Sequence, residues 1–414
     1  MVMRKLWFCL ALALAASGRA FAVIGTIDDV PAATLLLPYF EVDVARPDGV
    51  NTLFSINNAA AAAVLAHVTI WTDQSVPALA FDVYLTGYDK QTVNLRDVLV
   101  DGELPQTASA GQDPKDAISP HGAASQDVSF ASCTSLPYTK PAVSATVRSH
   151  LQAWLQGMKS PTSGTCGGSR HGDGILRGYA TVDTVNACNL FFPSDWTSYA
   201  PLLTKQNVLW GDSIYLNPGE GFADGETLVA IEACATCFAP GDHTFYGRYN
   251  GASAADGREA LPTTMAARYV NGGVFKGGTG LLVWREADSA ASGYNCYFKG
   301  PPSWYPLDAF QIAIFDEDEQ PVISPTCPSS SRCGEPVLIA NAAQRVDVSN
   351  DLLTPFDFGW VYLKLQHPGT AYNDPYAQMW LAARMLANGR FSVGMNGVAL
   401  DNANAPITTA IPIP

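Results

Sequence analysis

Four consecutive carboxylates, Asp316-Glu317-Asp318-Glu319, form the densest group of oxygen ligands in the sequence. Their mutual repulsion would be relieved by a hard cation, which makes Asp316, Asp318 and Glu319 candidate Ca²⁺ ligands. The run lacks the spaced oxygen ligands and the central glycine of an EF-hand loop. An acidic turn between two strands is the competing interpretation, and no other cofactor is predicted.

Two aromatic clusters fall in segments with the composition of loops. Trp196 and Tyr199 belong to the first cluster, and Trp304 and Tyr305 belong to the second. Exposed rings in loops can stack on sugars or contact another protein. These four residues are therefore candidate binding residues, and rings that close the end of a β-sandwich are the alternative.

The linear motifs of common hydrolases are missing. The sequence contains no G-x-S-x-G elbow and no H-E-x-x-H or H-x-H zinc pattern. The close pairs of ligand-type residues that include histidine are His171 with Asp173, and Asp242 with His243. Either pair could join a site assembled in space, or could be solvated. Two carboxylates about 5 to 10 Å apart would suit glycoside hydrolysis, but the sequence does not indicate which two.

The cysteine count indicates disulfides. Of nine cysteines, all but Cys9 follow the apolar N-terminal segment, and this even number predicts four bridges in an oxidising compartment. Closure of local loops favours Cys133 with Cys166, and Cys327 with either Cys296 or Cys333. The predicted disulfide cysteines are Cys133, Cys166, Cys188, Cys234, Cys237, Cys296, Cys327 and Cys333.

One cysteine pair has the spacing of a redox centre, Cys234-Ala-Thr-Cys237. A reactive pair of this kind needs a helix N-terminus to stabilise the thiolate. Here the pair follows the strand-like apolar run 227–233, so a structural bridge is the preferred interpretation.

The first 22 residues have the features of an export signal. Arg4 and Lys5 provide a positive start, residues 6–16 form an apolar core, and residues 20–22 (Ala-Phe-Ala) form a cleavage site. The apolar run is too short for an ordinary membrane span, and no later segment has about 18 consecutive apolar residues. We expect cleavage near Ala22–Val23, a secreted or periplasmic chain, and no membrane span.

Composition is that of a folded, turn-rich protein, with 48% hydrophobic residues, 35 Gly and 28 Pro. The length of 414 residues favours two or three domains of roughly 100–200 residues each. Without Arg4, Lys5 and Arg19 the chain has 21 basic and 38 acidic residues, a net charge of −17. A nucleic-acid partner is not expected, because phosphate binding needs clustered Lys and Arg.

The stretch 51–73 has the clearest strand, turn, strand pattern. Phe54 and Ile56 share one face of the first strand, and apolar residues alternate along 64–70 in the second. Asn57-Asn58 and a short alanine run supply the reversal. The pattern predicts an antiparallel hairpin.

A similar unit occurs at 263–286, where Trp284 takes the place of Trp71. Weaker matches follow in the same order: 310–315 with 81–85, 344–348 with 91–95, and 359–362 with 178–179. Matches in one order favour an ancient duplication.

Between these units the pattern changes. Residues from about 100 to 174 read as an insertion whose regular feature is an amphipathic helix at 145–158. Other strands are predicted at 33–44, 80–85, 92–99, 178–184, 213–216 and 227–233, and a Gly/Ala/Asp-rich linker at 241–260.

The predicted fold is mainly β, with two tandem antiparallel β-sandwich domains that are Ig-like or jelly-roll-like and a helix-containing insertion in the first. The expected organisation is a signal peptide at 1–22, a first domain at 23–245 with the insertion at about 100–174, and a second domain at 246–414.

Several segments resemble stretches of uncharacterised exported bacterial proteins. They are LLLPYFEVD (35–43), TLFSINN (52–58), LAHVTIWTD (65–73), GYATVD (178–183), GETLVAIEA (225–233) and LLVWRE (281–286). The resemblance implies export and a β-rich fold, and it brings no activity and no site residues.

The sequence therefore favours an exported, disulfide-stabilised binding, adhesive or structural protein of the cell envelope or secretome, with an envelope protein or a glycan as partner. The alternative is a secreted hydrolase that acts on polysaccharide through loop carboxylates. Missing motifs favour the first reading, although a catalytic site can also be assembled in space.

Overall fold

The computed structural model describes residues 30–105, 143–239, 242–250, 256–286, 292–296, 312–322, 341–352, 354, 356–364, 378–401 and 404. The protein is mainly β, as predicted, and has several antiparallel sheets, none of which is closed. The strands are β1 (Thr34–Asp43), β2 (Asn51–Asn58), β3 (Val64–Thr72), β4 (Pro77–Leu85), β5 (Lys90–Asn94), β6 (Ile175–Val185), β7 (Leu209–Trp210), β8 (Asp212–Asn217), β9 (Phe222–Thr227), β10 (Val229–Ile231), β11 (Thr264–Val270), β12 (Gly278–Arg285), β13 (Ile312–Asp316), β14 (Pro321–Val322), β15 (Ala343–Asp347), β16 (Phe358–Lys364), β17 (Met379–Leu386), β18 (Ser392–Asn396) and β19 (Val398–Ala399).

In the described ranges three short α-helices accompany the strands: α1 (Ala145–Leu155), α2 (Trp196–Tyr199) and α3 (Gly247–Asn250). Helix α1 confirms the helix predicted in the insertion; Ser144 caps its N-terminus, and Leu151 and Leu155 are buried. Among the described residues, no helix has the length and apolar character needed to cross a membrane.

The strands form four sheets, numbered here I to IV. Sheet I has the order β10-β1-β6-β3-β4, and sheet II has the order β5-β2-β8-β9 with β7 also paired to β2. Sheet III has the order β15-β12-β17-β18, and sheet IV has the order β14-β13-β16-β11-β19. All strand pairs within these sheets are antiparallel.

Sheet I is covered on both faces. One face, with Leu35 and Phe40, packs on Phe54 and Ile56 of sheet II. The opposite face, which includes Trp71, joins the core formed by sheets III and IV. All ten residues of β1 are buried as a result, which explains the continuous apolar run that the sequence shows there.

The predicted hairpin at 51–73 is wrong. Its two strands have the expected bounds, but β2 pairs with β5, β7 and β8 in sheet II, while β3 pairs with β4 and β6 in sheet I. The connection crosses from one sheet to the other. Two hydrogen bonds hold it there: Ala59 N donates to Val208 O (2.7 Å), and Asn58 Nδ2 donates to Thr86 O (2.8 Å). These contacts take the place of a tight turn.

Two other local predictions also fail. Strand β5 ends at Asn94, and the chain then forms a π-helical turn at Asp97–Asp101 instead of continuing as a strand. The predicted linker at 241–260 contains buried Phe245, Tyr246 and Arg258, so much of it belongs to the core. Small residues dominate the composition of 241–260. That composition therefore did not indicate that Phe245, Tyr246 and Arg258 are buried.

The two halves of the chain share one strand order. Reading sheet IV from its other edge gives β19-β11-β16-β13-β14, which matches β10-β1-β6-β3-β4 of sheet I strand for strand. Sheet III likewise matches sheet II. In this alignment β3 corresponds to β13, so the counterpart of Trp71 is Phe315 rather than Trp284. The sequence comparison of 51–73 with 263–286 was offset by one strand.

A glycine occupies the same position in both halves. Gly178 in β6 lies so close to β3 that an added Cβ would be 2.0 Å from Trp71 O, and Gly359 in β16 would place a Cβ 1.9 Å from Phe315 O. Substitution Gly178→Ala or Gly359→Ala therefore forces a backbone shift, and we expect each to lower the free energy of unfolding by about 2–3 kcal/mol. Urea denaturation checks this.

Gly225→Ala is the matched control, since Gly225 also lies in a strand and its added Cβ would have no neighbour closer than 3.6 Å. We expect that change to cost less than about 1 kcal/mol. Equal losses for Gly178→Ala and Gly225→Ala would contradict the steric explanation.

Candidate functional site

A pocket of about 460 Å³ lies where β1 and β6 of sheet I face β15 of sheet III. The first half of the chain contributes Tyr39, Glu41, His171 and Arg177. The second half contributes Asn341, Ala343, Gln344, Arg345, Asp347 and Asp351. The volume is in the range of small-molecule sites, but the lining is mostly polar and charged.

Glu41 is the most fully bonded group in the pocket. Its Oε1 accepts hydrogen bonds from Tyr39 Oη (2.7 Å) and Arg177 Nε (3.1 Å), and its Oε2 accepts one from Tyr215 Oη. Burial alone would raise the pKa of Glu41, but Arg177 and the two tyrosine hydroxyls outweigh burial and hold the pKa below its usual value. Glu41 is therefore an ionised group that organises the pocket wall.

Arg177 is held from two sides. Its Nη1 and Nη2 donate to the two carboxylate oxygens of Asp173 at 2.9 and 2.7 Å, while its Nε donates to Glu41. This forked arrangement fixes the guanidinium plane. Of the pair His171 and Asp173 noted in the sequence, His171 lines the pocket directly. Asp173 contributes by holding the guanidinium of Arg177.

Asp73, directly after β3, holds the two halves of the chain together beside the pocket. It is fully buried, and its carboxylate accepts from His171 Nε2 (2.9 Å), Ser169 N (2.8 Å) and Asn341 Nδ2 (3.3 Å). Its backbone oxygen accepts from Ala342 N (2.7 Å). Burial raises the pKa of Asp73 despite the opposing contacts of His171 and Ser169. When Asp73 is ionised, His171 Nε2 carries a proton, so Nδ1 is the nitrogen left to act as an acceptor.

Arg345 differs from Arg177. It is half-buried on β15, and within the described part of the chain its guanidinium has neither a hydrogen bond nor an ion pair. Gly280 on the neighbouring strand makes room for it, because an added Cβ there would lie 2.7 Å from Arg345 Nε. The charge of Arg345 acts on Glu41 only at longer range, where it helps to lower the pKa.

Of the predicted aromatic binding residues, the two that the structure describes, Trp196 and Tyr199, do not line this pocket. Tyr199 is fully buried and donates to Asp183 Oδ2 at 2.6 Å, so the expectation of an exposed ring at this position is wrong. Trp196 is half-buried, with its ring centre 5.9 Å from that of Tyr246. Trp304 and Tyr305 lie outside the described residues.

The acidic run forms a turn. Asp316 Oδ1 accepts from Asp318 N (3.0 Å) and Gln320 N (2.7 Å), and Glu319 has a positive φ of 61°. Within the described ranges, no group of three or more His, Cys, Asp or Glu side chains is arranged to hold a metal ion. The hydrogen bonds account for the turn, and Ca²⁺ at Asp316, Asp318 and Glu319 is not part of the site described here.

Two disulfides are described. Cys166 pairs with Cys296 and Cys234 pairs with Cys237. The expected closure of Cys166 with Cys133, and that of Cys296 with Cys327, are therefore wrong: the bridge joins distant parts of the chain because 292–296 docks beside Cys166. Cys188 is also disulfide-bonded. Cys133, Cys327 and Cys333 lie outside the described residues.

His67 has a structural role. It is fully buried in β3, with Nδ1 2.7 Å from Asp82 Oδ1 and Nε2 3.0 Å from Phe191 O. Asp82 also accepts from Asn189 N at 2.8 Å. The imidazole thus ties sheet I to the loop at 189–191, and the sequence had assigned it no chemical role.

A third carboxylate with a shifted pKa lies away from the pocket. Glu226 on β9 is half-buried, and burial raises its pKa from 4.5 to about 7, with Arg384 opposing and Asp224 adding to the shift. Among the residues that the structure describes, its Oε1 has no hydrogen-bond partner. Because the raised pKa belongs to the folded state, the associated stability is present below about pH 4.5 and is lost as pH rises through 7.

We therefore expect Glu226→Gln to stabilise the protein relative to the parent by about 2 kcal/mol at pH 8, and by much less at pH 5. Urea denaturation across this pH range measures the difference. Glu232→Gln, at another half-buried glutamate, is the control. Parallel pH profiles for the parent and Glu226→Gln would show that Glu226 does not carry the effect.

The sequence marked some residues of the pocket, but it did not show that they lie close together. The sequence indicates His171 with Asp173 as a close pair, and it matches 344–348 with the strand-like segment 91–95. Nothing in the linear pattern places that strand, β15, opposite β1.

Compared with models of known protein families, with curated proteins and with solved structures, the chain has no match.

Proposed function

We propose that this chain is an exported binding protein whose pocket between sheets I and III takes a small, polar ligand. The observation that carries the proposal is the pocket itself: its wall combines donors, acceptors and opposite charges from both halves of the chain. Buried polar groups of this kind fix the orientation of a polar molecule and disfavour an apolar one. Export is supported by the N-terminal signal pattern.

The pocket gives less support to the alternative of a polysaccharide hydrolase. A general acid for glycoside hydrolysis needs a carboxyl group with a raised pKa. Glu41 has the opposite shift, because Arg177 and two tyrosines stabilise its ionised form. We therefore assign Glu41 to the organisation of the binding site rather than to catalysis.

We also propose that the chain consists of two sandwich-like units in tandem, formed by sheets I and II and by sheets III and IV. The matching strand orders and the equivalent glycines at 178 and 359 support a duplication. In this arrangement the pocket belongs to the junction of the two units, where ligand sites are common.

The test is a thermal-shift screen of the mature protein, from Val23, against neutral sugars, amino acids and divalent cations, followed by calorimetry. A ligand that binds the folded state must raise the unfolding midpoint, by the equivalent of about 2.7 kcal/mol when its concentration is a hundredfold above Kd. We expect one of the small polar classes to do so.

Gln344→Trp fills the pocket and should abolish that shift. Gln91→Trp is the matched control, since Gln91 is half-buried on β5, the strand of sheet II that corresponds to β15. A midpoint that no compound raises, or a shift that survives Gln344→Trp, would overturn the proposal.

A further inference from the structure

The charges in the pocket are unequally satisfied. Glu41 already accepts from Tyr39, Tyr215 and Arg177, and Arg177 is further held by Asp173. Each of these two charges already faces an opposite charge, so neither needs a ligand to neutralise it. The groups that remain available are on β15 and in the turn that follows it.

Arg345 supplies the available cation. Its guanidinium is half-buried, faces the pocket and has no partner among the described residues. A half-buried charge is costly unless a partner neutralises it, and a guanidinium forms two parallel hydrogen bonds with a carboxylate. Gly280 keeps the space beside Nε open, so the position of the guanidinium is built into the adjacent strand.

Asp347 and Asp351 supply the available acceptors. Asp347 Oδ1 accepts from Asn350 N (2.8 Å), and Asp351 Oδ2 accepts from Asp347 N (2.7 Å). The second oxygen of each carboxylate has no hydrogen bond within the described ranges. These oxygens line the same pocket as Arg345 and suit an ammonium group, which donates three hydrogen bonds.

We propose, on the basis of the binding function proposed above, that the ligand is a zwitterion of the amino-acid type. Arg345 binds its carboxylate, and Asp347 and Asp351 bind its ammonium group. A dianion such as phosphate is disfavoured, because Glu41, Asp347 and Asp351 would repel it. A neutral sugar is disfavoured because it leaves Arg345 without a counter-charge.

Isothermal titration calorimetry at low ionic strength tests this with four probes on the mature protein. L-serine carries both charges, ethanolamine only the positive charge, glycolate only the negative charge, and glucose none. We expect L-serine to bind at least tenfold more tightly than each of the other three. Tighter binding of glucose or glycolate would overturn the zwitterion assignment.

Three variants assign the contacts. Arg345→Gln should weaken L-serine binding at least tenfold, the scale expected for loss of a charged hydrogen bond. Asp351→Asn should weaken it severalfold and leave glycolate unaffected. Gly280→Ala keeps every charge but displaces the guanidinium, so it should also weaken L-serine binding. Arg268→Gln, at an exposed arginine on sheet IV, is the control and should change nothing.

The outcomes separate this inference from the proposed function. Glucose binding that Gln344→Trp abolishes, without L-serine binding, would refute the zwitterion and retain the pocket. L-serine binding that survives both Arg345→Gln and Gln344→Trp would place the ligand elsewhere and refute both. Absence of binding by every probe and every compound of the thermal screen would also refute both. The melting temperature of each variant without ligand checks that it is folded.

Discussion

The double substitution Cys166→Ser/Cys296→Ser is expected to lower the free energy of unfolding by about 5 kcal/mol relative to the oxidised parent protein. The bridge closes a loop with a sequence separation of 130. In the chain-entropy description, a cross-link restricts the unfolded chain more strongly as the loop grows. Its removal therefore stabilises the unfolded state more than the removal of a local bridge.

Local contacts add to this effect. Cys166 N donates to Tyr294 O (2.9 Å), Tyr294 N donates to Cys166 O (2.8 Å), and Tyr294 Oη donates to Gly168 O (2.6 Å). Without the disulfide, segment 292–296 loses its covalent link to Cys166, and these hydrogen bonds must help to keep it in place. Urea denaturation of the parent and the variant gives the difference in the free energy of unfolding.

The second described disulfide provides the matched control. Cys234 and Cys237 are separated by 3 residues, and the same entropy relation gives about 2 kcal/mol for such a short loop. Cys234→Ser/Cys237→Ser should therefore cost less than half as much. Equal losses for the two double variants would show that loop closure is not the source of the stabilisation.

Replacement of Arg258 by methionine is expected to destabilise the protein by about 3–5 kcal/mol. Arg258 is fully buried; its Nη1 is 2.7 Å from Asp256 Oδ1, its Nη2 is 3.4 Å from Asp183 Oδ1, and its Nε donates to Thr34 Oγ1 at 2.6 Å. Methionine fills a similar volume but removes the guanidinium that neutralises the buried carboxylates of Asp183 and Asp256. Uncompensated buried charge is the reason for the large expected loss.

The same network holds Tyr199, which the sequence offered as a binding residue, together with Tyr246. Asp183 Oδ2 accepts from Tyr199 Oη (2.6 Å) and Tyr246 Oη (2.7 Å), and burial, reinforced by Asp183, raises the pKa of both hydroxyls. These hydroxyls remain protonated and continue to donate. Loss of Arg258 would therefore also disturb the contact of α2 and the segment before α3 with β6.

Arg268→Met is the control for this prediction. Arg268 is exposed on β11, and its guanidinium lies 4.6 Å from the ring centre of Trp360. An exposed cation–π contact contributes only about 0.5–1 kcal/mol. Denaturation curves in urea compare the two variants. A loss below about 1 kcal/mol for Arg258→Met would mean that the buried carboxylates find other compensation.

Sequence patterns located most of the strands and left their partners open. Alternation and apolar runs marked β1, β3 and β6 within a few residues of their ends, because these segments must bury side chains wherever they pair. Alternation does not say which strand is the neighbour. The segment at 51–73 therefore looked like a hairpin, although its two strands belong to different sheets.

The proposed duplication depends on both local and long-range information. Gly178-Tyr179 and Gly359-Trp360 were matched from sequence, and the structure places both glycines at the same close strand contact. The match of Trp71 with Trp284 differs from the strand orders, in which β3 takes the position of β13 and not that of β12. Strand order, which depends on distant hydrogen bonds, supplies the correct alignment.

The sequence by itself determined the class of protein. Its alternation specified β-strands, its even cysteine count predicted bridges, and its acidic composition disfavoured a nucleic-acid partner, because each of these is a property of composition or of near neighbours. Only the tertiary structure brought Glu41, Arg177 and Arg345 to one pocket and Cys166 to Cys296. These residues are more than a hundred positions apart, and their meeting depends on sheet III packing against sheet I, which no local pattern encodes.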